Sequence, residues 1–388
     1  MNFNLTDEQR LLQDSVRRFV DKDYDFEART ARIRSAEPCN ARHWAIFAEN
    51  GWLAAALPES AGGLGGSIIE TVLIATELGR GLVVEPYLGS AVLAAQTLAA
   101  AAGPDQLDAL IPALADGSRR VALAYSEAQS RGLPEPVATR AEPAPGGYRL
   151  HGTKTLVLGG CDADAFIVSA MLPGASGEAA LCSLFLVPAD AAGLQRVALP
   201  LHDGSWAAEV TFDQAFVPAD ALLGEAGTGQ AALRHGLTHG IAALCAELVG
   251  GMEKTIEITA GYLKVRKQFG VPIGSFQALQ HRMADMAAEL EVARSMLYAL
   301  LASIENDDDG DLARTVSQAK ALIVRAARYV CGQGIQLHGG IGMTEEYTVG
   351  HYFKRAVVAD VLFGNADLHE ACNARALQAA LNQEALQA

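Results

Sequence analysis

The sequence predicts an α+β fold in three consecutive blocks: an N-terminal α-helical domain over residues 1–119, a middle antiparallel β domain over 120–225, and a C-terminal helical bundle over 226–388. Three observations predict it. Apolar residues recur at helical spacing in the first block. From Arg120 short β-like runs cut by Gly, Pro and Asp take over. Beyond Gly229 a long helical stripe returns.

At the start, Thr6 and Gln9 form a capping-box pattern ahead of Leu12, Val16, Phe19 and Val20, which share one helical face. Helical stretches surround 44–52 and 71–78, and the glycine-rich run at 58–67 separates them. Ala-rich helices continue to about Ala115. The β-like runs lie at 121–125, 148–150, 154–158, 165–170, 181–187 and 208–213, the spacing of an antiparallel barrel or sandwich. In the last block Leu279, Met283, Met286, Leu290, Leu297, Leu301 and Ile304 make the stripe of a bundle helix. The acidic run at 305–311 ends that helix, and another reaches about Gly332.

The chain has 388 residues, half of them hydrophobic and 19% charged, which favours compact packing over disorder. With 45 acidic against 30 basic side chains the net charge is −15, which argues against a nucleic-acid binder. A local basic site for a small phosphorylated ligand remains compatible with that balance. The six cysteines lack any CxxC pair and read as buried or free thiols in a reducing compartment, so a cytoplasmic location is expected. The N-terminus is polar at once, without a signal-peptide core. The Ala-rich stretch at 88–102 is too mild to span a bilayer.

Some tempting motifs carry little. Gly227-x-Gly229-x-x-Ala232 fits a loose dinucleotide fingerprint but sits in no βαβ unit, so it reads as a turn entering a helix. His235 and His239 could share a helical face as metal ligands, but Gly236 replaces the glutamate of HExxH and no third ligand is evident. No GxSxG elbow suggests a hydrolase. Two segments say more. Residues 266–277 place Arg266, Gln268, Phe269 and Gln277 in one helix-to-loop turn; a guanidinium can fork onto phosphate and Phe can pack on a planar ring system. Residues 335–347 add Gln336 and the glycines Gly339 and Gly340, where backbone N–H groups could approach a pyrophosphate.

Together these segments resemble the acyl-CoA dehydrogenase family. The resemblance runs in order through LTDEQRLLQDSVRRF, GWLAAALPESAGGLGG, TFDQAFVPADALLGEAGTG, RKQFGVPIGSFQALQHRMADM and QLHGGIGMTEEY. It implies an N-terminal α domain, a middle β domain and a C-terminal four-helix bundle, in dimers or tetramers. It also implies FAD as cofactor, an acyl-CoA substrate oxidised at Cα–Cβ, and an electron-transfer flavoprotein as acceptor. By the resemblance, Arg266, Gln268, Phe269, Gln277, Gln336, Gly339 and Gly340 grip the ADP half of a FAD whose ring lies on a neighbouring subunit.

The other half of the family pattern is altered. The family's T-E-P-x-A-G-S-D run is reduced to Ser126-Glu127 followed by AQSRGL, and its W-I-T becomes Leu156-Val157-Leu158. The position of the catalytic glutamate holds Phe363, and the alternative position on the first bundle helix holds Gly240, followed by Ile241. A positioned general base is worth roughly 10²–10⁴-fold in rate. Asp360, Asp367 and Glu127 lie near these motifs in sequence. The split between a retained ADP grip and a lost base is expected of a subunit that completes sites on a homologous partner. The LFGNAD ending and residues 25–34 are similar to small subunits of the pimeloyl-CoA dehydrogenase type. A self-sufficient homo-oligomer with a substitute base, or other flavin chemistry on this fold, is the alternative.

Overall fold

The computed structural model describes residues 4–173, 180–306 and 309–387, so part of the acidic run at 305–311 lies outside the described residues. The chain divides into two compact units. One comprises residues 1–30, 72–83 and 241–388; the other comprises 31–71 and 84–240.

The helices of the first block are α1 (Asp7–Asp23), α2 (Phe26–Arg34), α3 (Ala41–Glu49), α4 (Ile68–Arg80), α5 (Ala95–Ala101) and α6 (Pro104–Ala115). The Thr6–Gln9 capping box closes reciprocally, and Val16, Phe19 and Val20 are buried on one face of α1. One element departs from expectation: Tyr87–Ala94 is a π-helical segment. Its Ala-rich sequence reads as ordinary helix, and only its packing distinguishes it. A Cβ at Gly89 would lie 2.6 Å from the backbone carbonyl of Leu158, so a glycine is required there. Gly89→Ala is expected to cost about 1–3 kcal/mol by overpacking against backbone, read as a lowered thermal midpoint.

The second unit is built on an eight-stranded sheet. Its strands are β1 (Val121–Ala124), β2 (Arg140–Ala144), β3 (Gly147–Leu158), β4 (Ala165–Leu172), β5 (Leu181–Pro188), β6 (Leu194–Pro200), β7 (Trp206–Pro218) and β8 (Leu222–Leu223). The order is β6-β7-β3-β2-β4-β5-β8, antiparallel except where β1 and β2 meet β4 in parallel. The runs at 148–150 and 154–158 are one strand, joined through a bulge at 150–152. Strands β2 and β6 carry no sequence signal: β2 contains Pro143, and β6 is exposed along most of its length, so neither alternates. Phe166, Phe185, Val210 and Phe212 fill the core. A second bulge, between Lys154 and Val157, lets two residues three apart both turn inward, which strict alternation forbids. Leu156 inside it takes φ 51°.

Bundle helices α7 (Gly229–Val265), α8 (Gln277–Asn306), α9 (Asp309–His338), α10 (Val349–Val361) and α11 (Ala366–Gln387) complete the chain. On α8 the stripe is buried from Met286 to Leu301, and its ends are only half-buried. Helix α9 runs past the expected stop at Gly332 to His338. Gly334 is there for packing, since a Cβ would meet Thr255 Cγ2 at 2.6 Å. Within the first unit Glu77 is buried and holds Arg17 at 2.6 Å and Arg80 at 3.4 Å, tying α1 to α4. All six cysteines are free thiols. Among the described residues no helix is long and apolar enough to cross a membrane.

Candidate functional site

In the first unit α7 ends at Val265 and a short hairpin follows, with β9 (Lys267–Gln268) pairing β10 (Val271–Pro272). Its two-residue turn, Phe269-Gly270, has φ 53° and 85°, the double positive φ of a type I′ turn. This geometry drives the Phe269 ring outward to 91% exposure, edge-on to Phe276 at 6.1 Å. Arg266, Gln268 and Gln277 are exposed beside it.

The second candidate segment closes α9. Gln336 is exposed on its last turn, and Gly339 follows with φ 66°, the left-handed residue that ends many helices. A Cβ at Gly339 or Gly340 would meet nothing within 4 Å, so the backbone there is open to an approaching ligand. The two segments are joined by residues that the motif reading overlooks. Tyr262 stacks on His338 at 4.4 Å, and its hydroxyl donates to the His338 carbonyl at 3.3 Å. The Arg266 N–H in turn donates to the Tyr262 carbonyl at 2.9 Å. Burial lowers the His338 imidazole, which is therefore neutral and donates from Nδ1 to the Gly334 carbonyl at 2.7 Å. Only an aromatic at the helix end one turn before RKQFG hinted at this link.

Leu362, Phe363 and Gly364 are buried. Phe363 follows α10 with φ 60°, is 4% exposed, and sits in a turn fixed from behind. Lys320 Nζ donates to the carbonyls of Ala359 (3.0 Å), Asp360 (3.3 Å) and Gly364 (3.0 Å). His369 Nε2 donates to the Phe363 carbonyl at 2.8 Å. The nearby carboxylates are engaged. Asp360 pairs with Arg328 at 2.9 Å and accepts the Ala366 N–H; Asp367 pairs with Arg325 at 3.0 Å on the surface.

In the second unit Ser126 and Glu127 follow β1. Glu127 Oε1 accepts from Lys154 Nζ (2.7 Å), Thr139 Oγ1 (2.7 Å) and the Thr139 N–H (3.0 Å), while Oε2 accepts from Ala138 N–H and Gln129. Burial alone raises this carboxyl, but Lys154 and the donors outweigh it and hold it down at about 2. A carboxylate so saturated braces the loop rather than abstracting protons. Ser126 Oγ is buried without a partner. A cavity of about 410 Å³ opens beside the strand, lined by Glu127, Gln129, Arg140, His151, Thr153 and Thr155. Gly240 is buried within α7, and His235 and His239 lie ring to ring at 4.4 Å. Among the described residues no cluster of three or more metal-ligating side chains exists.

The acyl-CoA dehydrogenase N-terminal domain matches residues 6–118, and the C-terminal domain of that family matches 227–378. Benzylmalonyl-CoA dehydrogenase of Aromatoleum aromaticum is 31% identical over 91% of this chain and 93% of its own length. The chain belongs to the acyl-CoA dehydrogenase family. Among solved structures, the ChsE4-ChsE5 complex from Mycobacterium tuberculosis is 28% identical with a TM-score of 0.87, covering 97% of this chain and 99% of that one. The FAD complex of PigA is 26% identical with a TM-score of 0.86 over 97% of this chain and 99% of its own. The expected α+β architecture is the family's architecture.

The donor set at Arg266, Gln268, Gln277, Gln336 and the open Gly339-Gly340 backbone fits the phosphates and amide-reading needs of a dinucleotide tail. Leu156 and Leu158, which the family resemblance sets at the ring side, supply no side-chain donor, so a fit there would be through backbone alone.

Proposed function

We propose that this chain is the base-lacking subunit of a heteromeric acyl-CoA dehydrogenase that carries out α,β-dehydrogenation of an acyl-CoA thioester with FAD. The observation that carries this reading is the contrast between two places. Arg266, Gln268, Phe269, Gln277, Gln336, Gly339 and Gly340 stand exposed with open space at the glycines, while the base position is filled by a buried phenyl ring. Bound FAD would supply the hydride acceptor. Arg266 and the backbone of Gly339-Gly340 would hold its phosphates, Phe269 would pack on its adenine, and the glutamines would orient it. A homologous partner supplies the ring site and the base, and an electron-transfer flavoprotein takes the electrons.

The test is flavin content and acyl-CoA oxidation of the chain purified alone and with a co-expressed homologue. The expected result is colourless protein alone and bound FAD with turnover in the complex. Yellow protein that reduces an acceptor unaided would overturn it in favour of a self-sufficient enzyme. In the complex, Arg266→Ala is expected to weaken FAD retention by at least tenfold, because a charge-assisted contact is worth about 1.5–3 kcal/mol. Phe363→Glu is expected to restore little activity to the chain alone, since Leu156 and Leu158 remain; a large gain in rate would contradict the assignment.

A further inference from the structure

Two buried polar side chains of the first unit, Arg29 and His351, meet just behind the segment at 335–347. Arg29, in the first turn of α2, is 1% exposed, and its Nε donates to the Leu82 carbonyl at 2.9 Å. Its Nη1 lies 3.2 Å from Nδ1 of His351, in the first turn of α10. On the other side of the ring, Nε2 lies 3.1 Å from the Glu345 carbonyl. Phe26 packs edge-on against the imidazole at 5.2 Å.

The chemistry of the two groups places the protons. A guanidinium has donors only and stays charged, so Arg29 donates and His351 Nδ1 accepts. The imidazole proton therefore sits on Nε2, which donates to the Glu345 carbonyl. Both bonds exist together only in the neutral ring, because a proton added at Nδ1 would face the guanidinium. The charged groups around His351 are Arg29 from α2, Lys354 from α10, and the Glu345 carboxylate at 3.8 Å, which already pairs with Lys354. Burial above all, then Arg29 and Lys354, hold the imidazole below its ordinary 6.5 against the pull of Glu345. The N-terminal pole of α10 acts in the same direction.

Glu345 lies in the turn between Gly339-Gly340 and α10. In that turn the Thr344 N–H donates to the Ile341 carbonyl at 3.2 Å, and the Tyr347 ring lies 5.0 Å from His338 and 6.4 Å from Tyr262. A Cβ at Gly350 would lie 3.0 Å from the Gly342 carbonyl, and one at Gly342 would lie 2.8 Å from the Ile335 carbonyl. The start of α10, the turn and the end of α9 are thus in close contact, and a shift of the Glu345 carbonyl is felt at Gly339 and Gly340.

We propose that Arg29 and His351 are positioning residues for the FAD tail, holding the turn at 344–348 and, through it, the open Gly339-Gly340 backbone in the arrangement that receives phosphate. This rests on the reading of Gly339 and Gly340 as part of the FAD grip, and adds what supports that grip and how it responds to protons. As pH falls below 6.5 the His351 ring gains a proton, is repelled by Arg29 and moves, and the Glu345 carbonyl bonded to it moves as well. Cofactor retention is complete while the ring is neutral and is lost on acidification.

The test is the FAD dissociation constant of the complex with the co-expressed homologue at about pH 7.5 and about pH 5. It is paired with hydrogen-exchange protection of the 341–348 amides in the FAD-free chain. The wild type should lose affinity roughly tenfold or more at the lower pH, the weight of one charge-assisted hydrogen bond, and protection should fall with it. His351→Gln offers an acceptor and a donor but does not titrate, so it should keep most of the affinity and lose the pH slope. His351→Leu, which has neither group, should bind FAD weakly at both pH values. A flat wild-type profile, an equal slope in His351→Gln, or turn protection indifferent to pH would overturn the proposal. Arg266→Ala keeps the two readings apart. Retention that falls in that variant but stays flat with pH in the wild type defeats only this inference, whereas retention indifferent to Arg266 defeats the grip and this inference with it.

Discussion

Replacing Lys154 by methionine will lower the unfolding free energy by about 3–5 kcal/mol at neutral pH, the cost of stripping one partner from a buried ion pair. The ammonium is fully buried and donates to Glu127 at 2.7 Å, Ser169 Oγ at 3.0 Å and the Tyr125 carbonyl at 3.2 Å. Its removal leaves the Glu127 carboxylate, 3% exposed, without a countercharge. The pH dependence has a definite sign. Glu127 in the wild type is held at about 2, below its ordinary 4.5, so its contribution is complete above about pH 4.5 and is lost as pH falls towards 2. Without Lys154 the folded-state pKa rises, the variant takes up its proton at higher pH, and the gap between the two proteins narrows on acidification. Urea titrations at pH 7 and pH 4.5 measure both numbers; a gap that widens at low pH would contradict the account. Adding Glu127→Gln to Lys154→Met should return part of the loss, because the charge left stranded is then gone.

This pair also illustrates what a single sequence reveals. Ser126-Glu127 is visible as the remnant of a motif, but Lys154 lies 27 residues away on a strand, and its burial depends on a bulge that no alternation pattern announces. The same limit governs the bundle. The apolar stripe of α8 and the capping box of α1 depend on neighbours three and four residues apart and can be read directly. The glycine at 334 inside α9 depends on what it packs against, and the glycine at 89 depends on what it faces, so neither is local information. At the candidate site, Arg266, Phe269, Gln336 and Gly339 are legible because turn chemistry and residue type coincide there. Tyr262 and His338, which link those segments, have residue types with no preferred role. Asp360 and Asp367 are similar: sequence proximity to Phe363 suggests them as bases, and only the positions of Arg328 and Arg325 show that they are paired.

Lys320→Met will be nearly as damaging, and its effect will centre on the turn that carries Phe363. The Lys320 side chain is fully buried, yet it faces three backbone carbonyls. Two of them, from Ala359 and Asp360, belong to the last turn of α10, where carbonyls lack partners within the helix and the dipole favours a cation. The third, from Gly364, fixes the chain just after Phe363 reverses it with φ 60°. Methionine has similar length and no donor, so all three carbonyls are left with their bond to Nζ unmade. At about 1–3 kcal/mol for each unsatisfied group, a loss of at least 3 kcal/mol is expected. His369 still holds the Phe363 carbonyl at 2.8 Å, so the turn should loosen rather than unravel in the native state. Hydrogen exchange separates this local effect from a general one: amides around 359–366 should lose protection beyond the global change, while those of the β3–β7 ladder should follow only the global change. Uniform loss across both regions would mean that Lys320 stabilises the whole chain without shaping the turn. Such a result would leave the conformation of Phe363 to His369 and to the left-handed backbone alone.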